Sequence, residues 1–189
     1  MSDVSRRDLL RGIALSATLG ALPLEAAQHV HDLALQEKAA GPYKPKLFNA
    51  HEYATLRRLA DLIVPGALDA GAPEFIDLLS SQNPELATIY TGGMAWLDRE
   101  MQRRYSTDFV SAKPDQQSAM LDLIAYRKNE SPELGPGIHF FTWARKMVVD
   151  AFYTSPVGIK DLGYIGNTAV SKFEIPQEAI DYALKRSPV

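Results

Sequence analysis

The amino-acid sequence predicts an all-α domain, a compact bundle of five or six helices with an extended amino-terminal arm and a long Gly-rich loop. Apolar residues recur every three or four positions in segment after segment, which is the spacing of one helix face. No segment alternates apolar and polar residues with the period of two that a half-buried strand needs. Between the periodic stretches stand Asn, Pro and Gly in the places where helices begin and end. With 189 residues, 46% of them hydrophobic, there is material for one domain with a real core.

The elements follow in order. Residues 26–40 favour helix by propensity, with Val30, Leu33 and Ala34 along one side. Gly41 and the prolines at 42 and 45 then force an extended connector, so residues 28–48 form an arm that wraps either its own domain or a partner. A domain from 49 to 189 opens with Asn49 as N-cap and Glu52 completing a capping box, with Phe48 and Tyr53 in staple positions. Tyr53, Leu56, Leu59, Ala60 and Ile63 make the inward stripe, and Pro65-Gly66 stops it.

Pro73 and Glu74 suit the first turn of a short helix carrying Phe75, Ile76, Leu78 and Leu79. A longer helix runs from Pro84 to about Tyr105. At Gly92-Gly93 either it breaks or another backbone packs close. Residues 113–127 make a further helix started by Pro114 and Asp115, and 129–137 a Pro- and Gly-rich turn.

A helix then begins near His139, with Phe140, Ala144, Met147, Val148 and Ala151 as its apolar stripe. Ser155-Pro156 ends it. Residues 154–175 read as one long loop punctuated by Gly158, Gly163 and Gly166, with Leu162, Tyr164 and Ile165 between them. A last helix spans 176–185, with Ala179, Ile180 and Ala183 on one side.

Composition excludes several functions. Net charge is −3, and the first 27 residues carry three basic and three acidic side chains, so it stays −3 without them. No basic footprint for nucleic acid exists. With no cysteine there is no disulfide, thiolate nucleophile, Cys-held zinc or iron–sulfur cluster, or thioether-linked haem. The glycines at 92–93 and 163–166 do not form the phosphate-binding GxGxxG between a strand and a helix.

Four histidines, at 29, 31, 51 and 139, show no ligand spacing, and His29 and His31 cannot face one metal from a helix. They read as solvated or as satisfied structural groups. The acids at 61, 77, 98, 122, 150 and 161 lie on separate segments, where solvated faces and helix ends are the ordinary role. Asp150, opposite the apolar stripe, faces either water or a partner's Arg. No catalytic, cofactor-binding or metal-binding residue is assigned.

Ser5-Arg6-Arg7-Asp8-Leu9-Leu10 matches the twin-arginine export pattern, and residues 13–24 have the apolar length of a signal h-region, too short to span a bilayer. Residues 1–27 are therefore read as an export signal. Its cleavage site is poorly formed, because Leu24-Glu25-Ala26-Ala27 lacks a small residue three before the cut.

Three segments carry a family resemblance: FYTSPVGIKDLGYIGN after Phe140-Phe141, the Leu59–Pro65 run followed by Gly71-Ala-Pro-Glu74, and the twin-arginine start. Together they cover most of the chain beyond the signal, and the sequence resembles the gluconate 2-dehydrogenase subunit 3 family. The resemblance implies a small subunit, not catalytic by itself, of an exported flavin-dependent sugar, sugar-acid or glycoside dehydrogenase. FAD would then lie in the large catalytic subunit, a cytochrome c subunit or a quinone would take the electrons, and the complex would work in the periplasm at the inner-membrane surface. The expected partner interface is Trp143, Phe152, Tyr153, Pro156, Leu162, Tyr164, Ile165 and Asn167. Two other readings remain: a stand-alone periplasmic helical enzyme, and a scaffold that binds another partner.

Overall fold

The computed structural model describes residues 24–163 and 175–186. Among these it is all helical, with eight α-helices: α1 Leu24–Ala39, α2 Ala50–Ile63, α3 Ala72–Ser80, α4 Pro84–Tyr105, α5 Pro114–Ile124, α6 Gly135–Tyr153, α7 Pro156–Asp161 and α8 Gln177–Arg186. A single 3-10 turn, Arg127–Asn129, follows α5.

The hub is α6, which packs against α2, α3, α4, α5 and α7. Its predicted stripe, Phe140, Ala144, Met147, Val148 and Ala151, is buried throughout. The helix starts four residues earlier than the sequence suggested. Pro136 fits within the first turn because that turn's amides have no intrahelical acceptor, and Gly135-Pro136-Gly137 is helix rather than turn.

Glycine explains how α6 and α4 approach each other. Any Cβ at Gly93 of α4 would overlap the Phe140 ring of α6, and a Cβ at Gly137 of α6 would overlap the Trp96 ring of α4. Each helix thus offers a notch for an aromatic knob of the other. The Gly92-Gly93 pair neither breaks α4 nor admits a backbone; it admits a ring, while Gly92 faces open space.

Inside the bundle lies α3, every residue of which is buried, including Glu74, Asp77 and Ser80. Buried carboxylates need partners. Asp77 accepts four hydrogen bonds: Oδ2 from the Tyr43 hydroxyl at 2.7 Å and the Lys46 amide at 2.6 Å, Oδ1 from the amides of Leu47 at 3.1 Å and Phe48 at 3.2 Å. The connector the prolines keep extended is therefore strapped to its own domain. Helix α1 packs on α3 through Ala27, Val30, Leu33 and Ala34, so residues 24–48 wrap their own bundle.

The capping box of α2 forms as predicted: Asn49 Oδ1 accepts from the His51 and Glu52 amides, and Glu52 Oε2 accepts from the Asn49 amide at 2.9 Å. The loop expected over 154–175 is corrected in its first part. Pro156–Asp161 is helical because Ser155 caps it, its Oγ accepting from the Gly158 amide at 3.1 Å and donating to the Phe152 carbonyl at 2.6 Å, with Pro156 in the first turn. The proline that ends α6 is the one that starts α7. Gly158 lacks the Cβ that would strike the Phe152 backbone, which lets the two helices turn sharply into each other.

Candidate partner-binding face

The junction of α6 and α7 brings apolar side chains to the surface beside α1. A shallow cavity of about 220 Å³ opens there, between the second half of α1, the turn at 69–71 and the start of α7. Ala34, Leu35, Ala70, Pro156 and Val157 give it an apolar wall, with Lys38 and Asp69 at its edges. Leu35 and Val157 are large apolar residues left exposed at 57% and 42%. The α1–α7 groove is built by helices that pack correctly and still leave hydrocarbon in water.

His31 closes its floor. The side chain is buried, its ring 4.7 Å from the Phe75 ring and its Nε2 3.1 Å from Thr154 Oγ1. The Thr154 hydroxyl donates to the Asp150 carbonyl at 2.6 Å, which leaves Oγ1 to accept from a His31 Nε2–H. Burial pushes the His31 pKa below its ordinary value, with the Ala151 carbonyl and the charge of Asp32 opposing. A neutral imidazole thus ties α1 to the end of α6. It is the satisfied structural histidine the sequence suggested, and also the base of the groove.

Of the residues expected at a partner interface, the structure brings some together and withdraws others. Pro156 lines the groove and is exposed. Tyr153 is exposed and stands edge-on to Phe152, and Leu162 is exposed at 60% just beyond α7. Phe152 is buried in the core, so it supports the surface from beneath rather than offering its own ring. Trp143 is half-buried, packed against the core with the Lys146 ammonium 5.1 Å from its ring centre. Tyr164, Ile165 and Asn167 lie outside the described residues, as do Ser5, Arg6, Arg7, Leu9 and Leu10. Leu35 and Val157 escaped the sequence reading because exposure at those positions is decided by which neighbours α1 meets.

A second cluster lies away from this face. His51 Nε2 is 2.6 Å from Asp98 Oδ2, Asp98 Oδ1 accepts from the Phe109 amide at 3.0 Å, and Asp108 accepts from the Ser111 amide and hydroxyl at 2.7 and 3.0 Å. It pins the start of α2 to α4 and to the loop after it. The Asp98 hydrogen bond raises the His51 pKa, with smaller help from Asp108. Sequence spacing could not show this cluster, whose members sit on three segments 47 and 10 residues apart.

Asp150 is half-buried rather than on an open face, and desolvation raises its pKa against the pull of Lys146. Glu100 holds Arg103 at 2.6 Å and Arg104 at 2.5 Å, which lower its pKa to about 2. These are ion pairs within one helix, one i,i+3 and one i,i+4. Among the described residues no helix is long and apolar enough to cross a membrane.

Comparison with known proteins bears on the chain as a whole. No curated protein and no solved structure matches it. The family model described as gluconate 2-dehydrogenase subunit 3 matches residues 50–171, which runs from the first turn of α2 to beyond α7 and leaves α1 and α8 outside. The match covers well over half of the sequence and includes the α6–α7 junction. The chain therefore belongs to the gluconate 2-dehydrogenase subunit 3 family, and with it to the subunits of an oxidoreductase complex that has catalytic partner subunits.

Proposed function

We propose that this protein is a non-catalytic small subunit that binds and stabilises the FAD-containing catalytic subunit of a sugar, sugar-acid or glycoside dehydrogenase and carries it to the periplasm by the twin-arginine route. The observation that carries the reading is the exposed apolar surface at the α6–α7 junction, where Leu35, Tyr153, Pro156, Val157 and Leu162 stand on a well-packed bundle. A protein in free solution gains nothing from such a surface, whereas a subunit buries it. Family membership supports a catalytic subunit as the partner, and the Arg6-Arg7 motif supports export. The large subunit abstracts the hydride onto its flavin, and electrons then pass to a cytochrome c subunit or a quinone.

Co-expression tests this directly. With the small subunit present, the catalytic subunit accumulates folded and flavin-loaded in the periplasm. Replacing Arg6 and Arg7 by Lys strands both chains in the cytoplasm. An active catalytic subunit reaching the periplasm without this chain would refute the proposal.

A further inference from the structure

Three segments meet at the start of α2, and each supplies one donor of the kind that holds a metal ion. His51 is the second residue of α2, its amide fixed to the Asn49 cap at 3.0 Å. Asp98 stands in the second half of α4. Asp108 follows Ser106, which closes α4 with a positive φ of 57° and turns the chain back, while the fully buried Phe109 seats the returning loop in the core. One imidazole nitrogen and one oxygen from each carboxylate lie within 4.8 Å of one another.

The backbone sets the direction of both acids. Asp98 Oδ1 accepts from the Phe109 amide, which leaves Oδ2 to face His51, and Asp108 is held by the amide and hydroxyl of Ser111. Carboxylates that ligate metals are oriented by outer hydrogen bonds of this sort, and an ionised oxygen with one hydrogen bond keeps a lone pair for an ion. Charge is also left over. Glu52, Asp98 and Asp108 all act on His51, and among the described residues neither aspartate is ion-paired with a lysine or arginine. A proton on His51 offsets one of three negative charges; a divalent cation brings two.

The imidazole separates this group from a patch of surface acids. Nitrogen and oxygen donors together suit zinc and its first-row neighbours, whereas magnesium and calcium take oxygen. The side chain of Asp98 is 24% exposed and that of His51 48%, so an ion can enter from solvent to a site that is partly sheltered.

We propose that His51, Asp98 and Asp108 form a binding site for a first-row divalent cation of the zinc type, which staples the first turn of α2 to α4 and to the loop after it. The ion replaces the His51–Asp98 hydrogen bond, and the Nε2 proton goes to solvent because only an unprotonated nitrogen ligates. Nε2 and Oδ2, 2.6 Å apart, then separate and Asp108 closes in, until the donors stand roughly 3.0–3.5 Å from one another, as metal bonds of about 2.0–2.2 Å require. Water completes the coordination. The site lies away from the α1–α7 groove and belongs to the chain by itself, so it stands or falls apart from the partner reading.

The untagged full chain, stripped of metal with a chelator, is titrated with zinc chloride in a calorimeter and melted with and without it, with magnesium and calcium chloride alongside. One zinc ion per chain should bind, and at about a hundredfold above its Kd it should raise the melting temperature by roughly 5–10 °C. Magnesium and calcium should do neither. Asp98→Asn and Asp108→Asn keep an oxygen for the Phe109 and Ser111 amides, and melting of the metal-free variants checks that they fold. Each should bind zinc at least about tenfold more weakly, as should His51→Ala, since even outer partners of a metal site are worth that much. His139→Gln, outside the cluster, should bind as the full chain does. X-ray absorption at the zinc edge of the loaded full chain needs no variant and should show one imidazole among oxygen donors.

No binding at millimolar zinc would overturn the site. So would zinc binding that survives the three substitutions, equal binding of magnesium or calcium, or an absorption spectrum with no imidazole or with more than one.

Discussion

Helices α3 and α8 are nearly the same length, nine and ten residues, and both open with an acidic first turn. All of α3 is buried and none of α8 is. Local preference for helix therefore says little about where a helix belongs. The difference lies in the partners of their polar groups: α3 carries Asp77 and Glu74 inward because Tyr43, three strap amides, Lys38 and Arg57 come to meet them, whereas among the described residues Asp181 of α8 takes its hydrogen bond from Gln177 of the same helix. An inner helix is defined by what the rest of the chain brings to it.

The sharpest way to break that contrast is to remove Asp77. Asp77→Ala leaves three backbone amides and the Tyr43 hydroxyl without their acceptor; a fully buried donor such as the Phe48 amide costs about 1–3 kcal/mol when orphaned, and the three part-buried ones less each. The isolated chain should lose on the order of 10 °C or more in melting temperature by circular dichroism, given about 2–4 °C per kcal/mol for a protein of this size. Asp77→Asn should lose less, since one oxygen remains. An unchanged melting temperature would show that the strap is held by other means.

A smaller effect separates two adjacent glycines. Gly93→Ala forces a methyl into the Phe140 ring and should cost about 1–3 kcal/mol, as overpacking does, whereas Gly92→Ala meets nothing and should gain about 0.5–1 kcal/mol from helix propensity. Opposite signs at neighbouring positions in denaturant titration would establish that the α4–α6 contact, and not backbone freedom, requires glycine at 93. Equal signs would contradict the notch.

The smallest effects are in pH, where two histidines should pull in opposite directions. His31 has a lowered folded-state pKa, so stability is full above its ordinary value of 6.5 and declines as pH falls below it toward the folded value. His51 has a raised one, so its contribution is full below 6.5 and is lost as pH rises through the folded value. His51 is largely exposed, and a few tenths of a kcal/mol is the expected scale for its pair with Asp98. His51→Ala should therefore weaken the chain slightly at pH 6 and not at pH 9. His31→Gln should flatten the fall below pH 6.5. Parallel profiles for the two variants would show the signs to be wrong.

Much of this architecture can be read from residues alone where the signal is local. The span of α4, the Asn49–Glu52 box and the buried stripe of α6 depend on spacing within one segment, and spacing is what a sequence displays. Ser155-Pro156 and Gly135-Pro136-Gly137 misled because proline stops the helix before it and suits the first turn of the one after it, and only packing decides which meaning applies. Asp77 and the His51–Asp98–Asp108 cluster were not legible, since their partners are brought in from 10 to 47 residues away by tertiary folding. At the candidate face, Tyr153, Pro156 and Leu162 could be picked out from their place after a long helix, but Leu35 could not, because α1 had no known neighbour.

The Asp77 strap bears on how the molecule opens. A buried carboxylate that accepts from three successive amides loses its compensation when they leave, so residues 46–48 have no cheap way to peel off while the bundle stays closed. The amide hydrogens of Lys46, Leu47 and Phe48 should exchange with solvent only as fast as the whole bundle unfolds. An extended connector that would ordinarily fray first is among the last parts of the chain to yield.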